Sequence, residues 1–379
     1  MNARSLTLEG TILTEQGFIK GELTIKNGEI ASINRSDTQS NELILPGFAD
    51  VHNHGGAGFS FPTSDQEECA EAARHHLQHG TTTLLASTVS MREPELLPQL
   101  GMLAELAQDA LIDGIHAEGP FVNACRCGAQ DPAAIIEGDP ELFNKMLASA
   151  KGHLRSITLA PETANVEKLI DACVEHNVIV SFGHTDASYE HTAAAIRYAR
   201  RRGAKVTATH LFNAMPPLHH RNPGAAAALI EAAARGEATL ELIADGVHLA
   251  DSTVDMMLST VGAQHITFVS DAMGAAGKAD GDYMLGALAV RVRDGVARLR
   301  TEGGEEGAIA GGTSRIIDQV QRQLRCDRPL LQVLQAATTG HALLGKPSVL
   351  REGAPADVLQ CTEELELLQV FKRGQAQRH

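Results

Sequence analysis

The sequence predicts an α/β protein with a (β/α)8 TIM-like barrel and a small β-sandwich module built from both termini. Three observations predict this fold. The middle of the chain alternates short apolar runs with alanine-rich helical stretches, both ends have the pattern of strands and turns, and 379 residues suffice for a barrel of about 250 residues plus a module. The predicted boundaries are 1–46 and 346–379 for the β module and 47–345 for the barrel.

The two ends of the chain contain short apolar runs separated by turn residues. Asn27-Gly28 lies between two of these runs and is a strong signal for a hairpin. Because the same pattern of apolar runs and turn residues returns near the C-terminus, we expect the two ends to assemble into one module. The predicted strands lie at 6–8, 11–13, 21–25, 29–33, 353–359 and 365–371.

Eight candidate strands occupy the middle of the chain, with helical stretches between several of them. This count also fits a doubly wound open sheet, but no glycine-rich phosphate-binding fingerprint follows any of the strands, which favours the barrel. The predicted strands lie at 48–52, 81–86, 115–117, 156–159, 178–182, 205–209, 240–244 and 266–270. The clearest predicted helices lie at 67–78, 166–176, 192–202 and 224–235.

Composition excludes several classes of function. A formal net charge of −15 disfavours a nucleic-acid partner or an anionic membrane surface, and no apolar stretch approaches the roughly 18 residues that span a bilayer. The N-terminal residues lack the layout of a signal peptide, and the six cysteines are scattered. We therefore expect a cytoplasmic protein whose Cys125 and Cys127 are ordinary loop thiols.

Polar residues with metal-binding chemistry follow the predicted barrel strands. Each one alone is a weak signal, since about one H-x-H pair is expected by chance in a chain of this composition. In a parallel barrel, however, the carboxyl ends of all strands open onto one face, where active sites of such barrels lie. Seven such residues share that position: His52, His54, Glu118, His184, His210, His248 and Asp271.

These residue types predict a hydrolytic metal site. Imidazole and carboxylate groups are ligands of Zn²⁺ and Fe²⁺. Glu118, His184 and His210 would hold one ion, while His52 and His54 could reach a second ion that Glu118 bridges. A bound ion lowers the pKa of its water, and a nearby carboxylate takes the proton. Asp271 is the candidate for that carboxylate, although an aspartate at this position could also cap a helix.

One segment resembles the strand-one signature of the amidohydrolase superfamily, and five further segments together resemble those of the N-acetylglucosamine-6-phosphate deacetylases, a branch of that superfamily. The resemblance runs in order along nearly the whole chain, and the segment at 209–216 is specific to this branch. It implies a barrel of the amidohydrolase type. The segments are PGFADVHNHGG at 46–56, HAEGPF at 116–121, GHT at 183–185, THLFNAMP at 209–216, ADGVH at 244–248 and SDAM at 270–273.

The resemblance implies a metal-dependent hydrolysis of N-acetyl-D-glucosamine 6-phosphate to D-glucosamine 6-phosphate and acetate. It places Glu118, His184 and His210 on the metal, and Asp271 as general base and then general acid. The presence of His52 and His54 implies that one or two divalent ions, Zn²⁺ or Fe²⁺, bind each subunit. Substrate contacts are implied for Ala129, Gln130, Asn213, Ala214, Arg221, His248, Ile309, Ala310, Gly311 and Gly312.

Two features of the resemblance concern substrate binding. Arg221 matches an arginine that reaches the phosphate of the neighbouring subunit's substrate, which implies a homodimer. Gln130 stands where the family usually has a histidine that polarises the acetamide carbonyl. An amide can donate a hydrogen bond but carries no charge, so either the metal polarises the carbonyl more strongly or the substrate binds differently.

Three alternatives remain open at the level of sequence. The first is the same reaction on N-acetylgalactosamine 6-phosphate, which differs by the orientation of one hydroxyl. The second is a cyclic-amide hydrolase, which usually needs a lysine on the fourth strand, whereas residues 156–161 contain none. The third is a barrel that binds without catalysis, which would be expected to lose metal ligands that this chain has.

Overall fold

The N-terminal strands begin the described part of the chain. The computed structural model describes residues 5–301 and 306–377, so residues 1–4 and 378–379 of the predicted β module lie outside the described residues. Asn27 and Gly28 have φ angles of 56° and 83° and form the predicted hairpin turn. The strands are β1 (Ser5–Thr14), β2 (Gly17–Lys26), β3 (Glu29–Arg35) and β4 (Leu43–Pro46).

One expectation for these strands is wrong, because 6–8 and 11–13 belong to a single strand, β1. Gly10 does not form a turn: it pairs with Gly21 of β2. A Cβ atom on Gly10 would collide with the carbonyl oxygen of Glu42. The glycine therefore lets the backbone ahead of β4 approach the strand closely, as glycines inside strands often do.

Eight parallel strands form one sheet, each hydrogen-bonded to the next along the chain. The first and last strands also meet, because His54 N donates to Ala272 O at 2.7 Å and Asp271 N donates to His52 O at 2.9 Å. The sheet is thus a nearly closed barrel, and the open-sheet alternative is wrong. Its strands are β5 (Phe48–Asn53), β8 (Thr81–Thr88), β9 (Gly114–Glu118), β10 (Leu154–Leu159), β11 (Ile179–Phe182), β12 (Val206–Ala208), β13 (Thr239–Leu242) and β14 (Ile266–Phe268). Between β5 and β8, the strands β6 (Gly55–Gly56) and β7 (Phe59–Ser60) form a separate two-stranded ribbon.

Helices follow most barrel strands and pack against their outer side. Asp65 caps the N-terminus of the first helix: its side chain accepts from Glu68 N, while the Glu68 side chain accepts from Asp65 N. The helices are α1 (Gln66–Gln78), α2 (Glu93–Gln108), α3 (Pro140–Ser149), α4 (Val166–Glu175), α5 (Tyr189–Arg201), α6 (Gly224–Ala234), α7 (Asp251–Val261), α8 (Ile316–Arg325) and α9 (Leu330–Leu343), with 3₁₀ turns at Ala124–Arg126 and Ala263–His265. None of the described helices has the length and apolar composition needed to cross a membrane.

A four-stranded antiparallel sheet follows the last barrel strand, and the sequence analysis did not predict it. Leu285 at the end of its first strand and Ile309 at the end of its last strand reach the carboxyl end of the barrel. Its strands are β15 (Gly281–Leu285), β16 (Leu288–Arg293), β17 (Val296–Arg300) and β18 (Glu306–Ile309).

The last three strands are β19 (Val358–Cys361), β20 (Leu367–Lys372) and β21 (Gln375–Ala376). They join the N-terminal strands in a single seven-stranded sheet, in the order β3-β2-β1-β4-β19-β20-β21. β19 pairs antiparallel with β4 along four residues. Ile12, Leu23, Ile44 and Val358 share a core of their own. Strands from both termini thus build one β unit, which fits the predicted small β-sandwich module.

Candidate active site

Six of the polar side chains predicted at the strand ends converge at the carboxyl end of the barrel, and we call them the ligand cluster. They come from β5 and the residue directly after it, from β9, and from the residues that follow β11, β12 and β14. Every one is buried, with no more than 8% of its surface exposed. The members are His52, His54, Glu118, His184, His210 and Asp271.

Glu118, His184 and His210 form the first group of this cluster. Glu118 Oε1 lies 3.0 Å from His184 Nε2 and 2.9 Å from His210 Nε2. The two Nε2 atoms lie 3.1 Å apart. These three atoms therefore lie close enough to share one ion.

His52, His54 and Asp271 form the second group. The Nε2 atoms of His52 and His54 lie 3.1 Å apart, and Asp271 Oδ1 lies 3.2 Å from His54 Nε2. Glu118 contacts this group as well, since its Oε2 lies 3.3 Å from His54 Nε2 and its Oε1 lies 3.5 Å from His52 Nε2. Glu118 thus lies between the two groups, where the sequence analysis expected a bridging carboxylate.

Three members of the cluster have left-handed backbone conformations. The φ angles of His184, His210 and Asp271 are 47°, 27° and 46°, a region that non-glycine residues rarely adopt. Hydrogen bonds hold these residues there, including Asn123 N to His184 O at 2.9 Å. Such conformations persist where the surrounding structure fixes them and are concentrated at functional sites.

Hydrogen bonds on the far side of two imidazoles determine which nitrogen faces the cluster. His184 Nδ1 donates to the Arg126 carbonyl oxygen at 2.8 Å, and His52 Nδ1 donates to Glu241 Oε2 at 3.1 Å. Both rings therefore turn Nε2 towards the cluster, where that atom could bind an ion in place of a proton. The sequence analysis missed Glu241, a buried glutamate between Leu240 and Leu242 in β13; the only signal for it was a charged residue within a short apolar strand.

Contacts within the cluster lower the pKa of two carboxylates, Glu118 and Asp271, and raise the pKa of two imidazoles, His52 and His54. Burial lowers the pKa of His52, but Glu118 and Asp271 outweigh it and raise that pKa to about 10. Conversely, burial raises the pKa of Asp271, but His52 and His54 outweigh it and lower that pKa to about 2. The pKa of Glu118 also lies well below its usual value, because His52 and His184 outweigh its burial.

The donor set fits divalent metal ions. Each group brings together nitrogen and oxygen atoms that lie within 4.8 Å of one another. Three atoms bound tetrahedrally to one Zn²⁺ ion would lie about 3.3 Å apart, given Zn–N distances near 2.0–2.1 Å. The separations of 2.9–3.1 Å between Glu118, His184 and His210 come close to this value. Cations in these positions would also compensate the two buried carboxylates, Glu118 and Asp271.

A cavity of about 260 Å³ opens beside the ligand cluster. One wall carries His248, whose Nδ1 donates to Asp245 Oδ2 at 2.8 Å. Burial lowers the pKa of His248, but the Asp245 contact outweighs it and raises that pKa. Seven of the ten residues with predicted substrate contacts line this cavity: Ala129, Gln130, Asn213, Ala214, His248, Ile309 and Gly311.

The other three predicted contact residues lie elsewhere. Ala310 and Gly312 are buried and do not line the cavity. Gly312 N donates to Asp271 O at 2.6 Å, and Gly312 O accepts from Met273 N at 2.9 Å. Gly312 thus supports the backbone of Asp271. Arg221 is exposed in the loop between β12 and α6, with its guanidinium 2.8 Å from His220 Nε2.

Gln130 binds a member of the ligand cluster. Its Oε1 accepts from Ser90 N at 2.5 Å, which turns the amide nitrogen towards Glu118, and Nε2 donates to Glu118 Oε2. The side chain also lines the cavity. Gln130 therefore touches both the candidate ligand Glu118 and the space that a substrate would occupy.

Comparisons with known proteins agree with this geometry. A model of the amidohydrolase family matches residues 43–376. The chain is 33% identical over 344 residues to N-acetylglucosamine-6-phosphate deacetylase of Lysinibacillus sphaericus, covering 88% of this chain and 85% of the relative. It is 29% identical over 378 residues to N-acetylgalactosamine-6-phosphate deacetylase of Escherichia coli O157:H7, covering 96% and 97%.

Among solved structures, the fold is similar to that of an N-acetyl-D-glucosamine-6-phosphate deacetylase mutant from Mycobacterium smegmatis, in complex with N-acetyl-D-glucosamine-6-phosphate. The two chains share 33% identity with a TM-score of 0.90, and the match covers 100% of each. The similarity therefore extends over the barrel and the terminal β unit together.

Proposed function

This chain belongs to the amidohydrolase family, and we propose that it hydrolyses N-acetyl-D-glucosamine 6-phosphate to D-glucosamine 6-phosphate and acetate. The observation that carries the proposal is the ligand cluster, buried at the carboxyl end of the barrel beside a cavity. The relatives named above act on acetylated hexosamine phosphates, which identifies the class of substrate.

The ligand cluster supports a metal-dependent reaction. Glu118, His184 and His210 would hold one divalent ion, Zn²⁺ or Fe²⁺, and His52 with His54 would hold a second. Such an ion polarises an amide carbonyl and lowers the pKa of a water molecule at the site. The position of Glu118 between the groups supports a bridging role for its carboxylate.

Asp271 is proposed as the group that moves the proton. Its carboxylate is ionised at neutral pH, since its pKa is lowered to about 2, and it lines the cavity. It would accept a proton from the attacking water at Oδ1 and then deliver that proton to the amine nitrogen as the acetyl C–N bond breaks. One carboxylate therefore serves both steps in turn.

The rest of the cavity supports recognition of an anionic sugar. His248, whose pKa the Asp245 contact raises, lines the cavity with Asn213, the backbone at Ala214 and the turn at Ile309 and Gly311, and these offer hydrogen-bonding groups. Gln130 would contact the acetamide while it holds Glu118. We propose that Arg221 binds the phosphate of the neighbouring subunit's substrate, since its own loop is exposed.

The oligomeric state, the cellular location and the domain boundaries are also proposed. We propose a homodimer, because Arg221 lies outside the cavity of its own chain. We also propose a cytoplasmic enzyme whose β module comprises 1–46 and 346–379 around a barrel of 47–345. The strands of the shared seven-stranded sheet support this division.

Kinetics on the two epimeric substrates test the proposed function. We expect purified protein loaded with Zn²⁺ or Fe²⁺ to release acetate from N-acetyl-D-glucosamine 6-phosphate with a higher kcat/KM than from N-acetylgalactosamine 6-phosphate. The match to the E. coli relative over nearly the whole chain makes the galactosamine substrate the second candidate. A higher kcat/KM on that epimer would change the substrate, and no hydrolysis of either would contradict the proposal.

A further inference from the structure

A buried carboxylate behind the ligand cluster has no part in the proposed reaction. Glu241 lies in β13, and only 2% of its surface is exposed. Its Oε2 accepts from His52 Nδ1 at 3.1 Å and from His210 N at 3.2 Å. We propose that Glu241 is a positioning residue that joins the two groups of the ligand cluster through this one oxygen atom.

The burial of Glu241 needs such an explanation. Removing a carboxylate from water costs several kcal/mol unless partners compensate it. In the described ranges, no lysine or arginine lies within 4.0 Å of Glu241, and its ion-pair partner is His52. The carboxylate is therefore compensated by members of the ligand cluster themselves. A role in positioning these members explains why a carboxylate is buried at residue 241.

On the side of the second group, Glu241 fixes the orientation of His52. An imidazole that donates from Nδ1 presents its Nε2 lone pair in the opposite direction. For His52 that direction leads to His54 Nε2 at 3.1 Å and Asp271 Oδ1 at 3.5 Å. A partner that orients a histidine in this way typically changes metal affinity about 10–100-fold when it is removed.

On the side of the first group, Glu241 holds the backbone that carries His210. Its side-chain oxygen accepts from His210 N, and its main-chain oxygen accepts from Leu211 N at 2.9 Å. Residue 241 thus binds two consecutive N–H groups at the point where His210 has a φ of 27°. Since this conformation is unfavourable for histidine, both bonds stabilise the turn that aims its side chain at Glu118.

Metal binding by two variants tests this inference, which rests on the metal dependence in the proposed function. Glu241→Leu removes the acceptor, whereas Glu241→Gln keeps an oxygen that can accept at the same place but removes the charge. We expect Glu241→Leu to weaken Co²⁺ binding at least about tenfold and to change the cobalt absorption spectrum, and Glu241→Gln to recover most of both. Glu237→Leu, which removes a glutamate just before β13, is the matched control and should change neither.

The outcomes separate the inference from the proposed function, because metal binding is measured without substrate. A folded Glu241→Leu protein with wild-type cobalt affinity and spectrum would overturn the inference even if the wild-type protein is an active deacetylase. Altered cobalt binding would uphold it even if the protein hydrolyses neither sugar phosphate. If Glu241→Leu does not fold, Glu241→Asp, which withdraws the oxygen by one methylene, replaces it, and wild-type cobalt binding by that variant would likewise overturn the inference.

Discussion

The buried ligand cluster and the exposed loop of residues 216–222 belong to the same end of the barrel but are held in different ways. Each member of the cluster contacts at least one other, and supports such as Glu241 and Arg126 O lie behind them. The loop instead carries Leu218, 53% exposed, and Arg221, whose guanidinium contacts the neighbouring His220. One chain therefore completes the proposed reacting centre, whereas the proposed phosphate contact acts only when another molecule meets the loop.

The largest effect should follow from removing a ligand of the first group. We expect His184→Ala or His210→Ala to lose the tightly bound ion and nearly all activity, because two remaining ligands hold a catalytic ion poorly. Metal analysis of the purified variants and acetate release measure the two effects. Full occupancy with normal turnover in either variant would contradict the assignment of this group.

The second group provides the control for that prediction. Replacing His52 and His54 together should remove at most the second ion and leave the Glu118 group occupied. Loss of the ion from both groups would show that they form a single site. The experiment can distinguish these cases, which matters because Glu118 contacts both groups.

The next effect concerns proton transfer at Asp271. Asp271→Asn keeps the size of the side chain but cannot accept a proton, so kcat should fall by at least about 10²-fold, the low end for general acid–base catalysis. Metal content and substrate binding should persist. Wild-type kcat in this variant would remove Asp271 from the mechanism.

The two regions also differ in how far the sequence predicts them. The barrel strands were predicted to within a few residues, since short apolar runs and intervening helices alternate clearly. The predicted strand at 205–209 ends earlier, at Ala208, because His210 leaves the extended conformation. The four-stranded sheet from Gly281 to Ile309 was missed, since its short strands alternate weakly and follow the last barrel strand.

Glu241 and Gln130 show why site geometry is harder to predict than the fold. In an amphipathic strand, the alternation of Leu240, Glu241 and Leu242 indicates one face in water. In a barrel, the second face points into the interior instead, so the same pattern hides a buried carboxylate. Gln130 was expected to face substrate, but its direction depends on Ser90 N, which lies 40 residues away in the chain.

A smaller and more selective effect is expected in the exposed loop. Arg221→Ala should raise KM for the phosphorylated sugar about tenfold or more and leave kcat/KM for unphosphorylated N-acetylglucosamine unchanged, since hydrogen bonds to charged groups contribute about 1.5–3 kcal/mol. Equal effects on both substrates would show that Arg221 acts through structure alone.

A mixture of subunits tests whether Arg221 acts across a dimer. Combining Arg221→Ala chains with Asp271→Asn chains should restore activity in the hybrid, because one site then has both Asp271 and the partner's intact arginine. If a verified heterodimer shows no recovery of activity, Arg221 acts within its own chain. The exposed loop would then not need a second molecule to contact the phosphate.

The last effect is on stability and not on activity. It comes from a buried histidine outside both regions, where burial acts on the pKa without a carboxylate of the described residues in contact with the ring. His341 in α9 is buried, and its Nε2 donates to Gly47 O at 2.7 Å. Burial lowers the pKa of His341 to about 4; the hydrogen bond to Gly47 O, Asp113 and Asp357 oppose this shift, whereas Lys346 adds to it. Burial is just as complete at His52, but carboxylates in contact with that ring raise its pKa to about 10.

The direction of the pH effect follows from these values. Between pH 6.5, the ordinary pKa of histidine, and about pH 4, the unfolded chain binds a proton at residue 341 that the folded chain does not bind. The free energy of unfolding should therefore decrease as pH falls through this window, by at most about 3 kcal/mol for this residue, at about 1.4 kcal/mol per pKa unit. His341→Gln keeps a donor for Gly47 O but cannot titrate, so urea unfolding of this variant should depend less on pH than that of the wild-type protein. His176→Gln, at an exposed position, should leave the pH dependence of the free energy of unfolding unchanged. The same pH dependence in all three proteins would show that burial alone does not lower the pKa of His341.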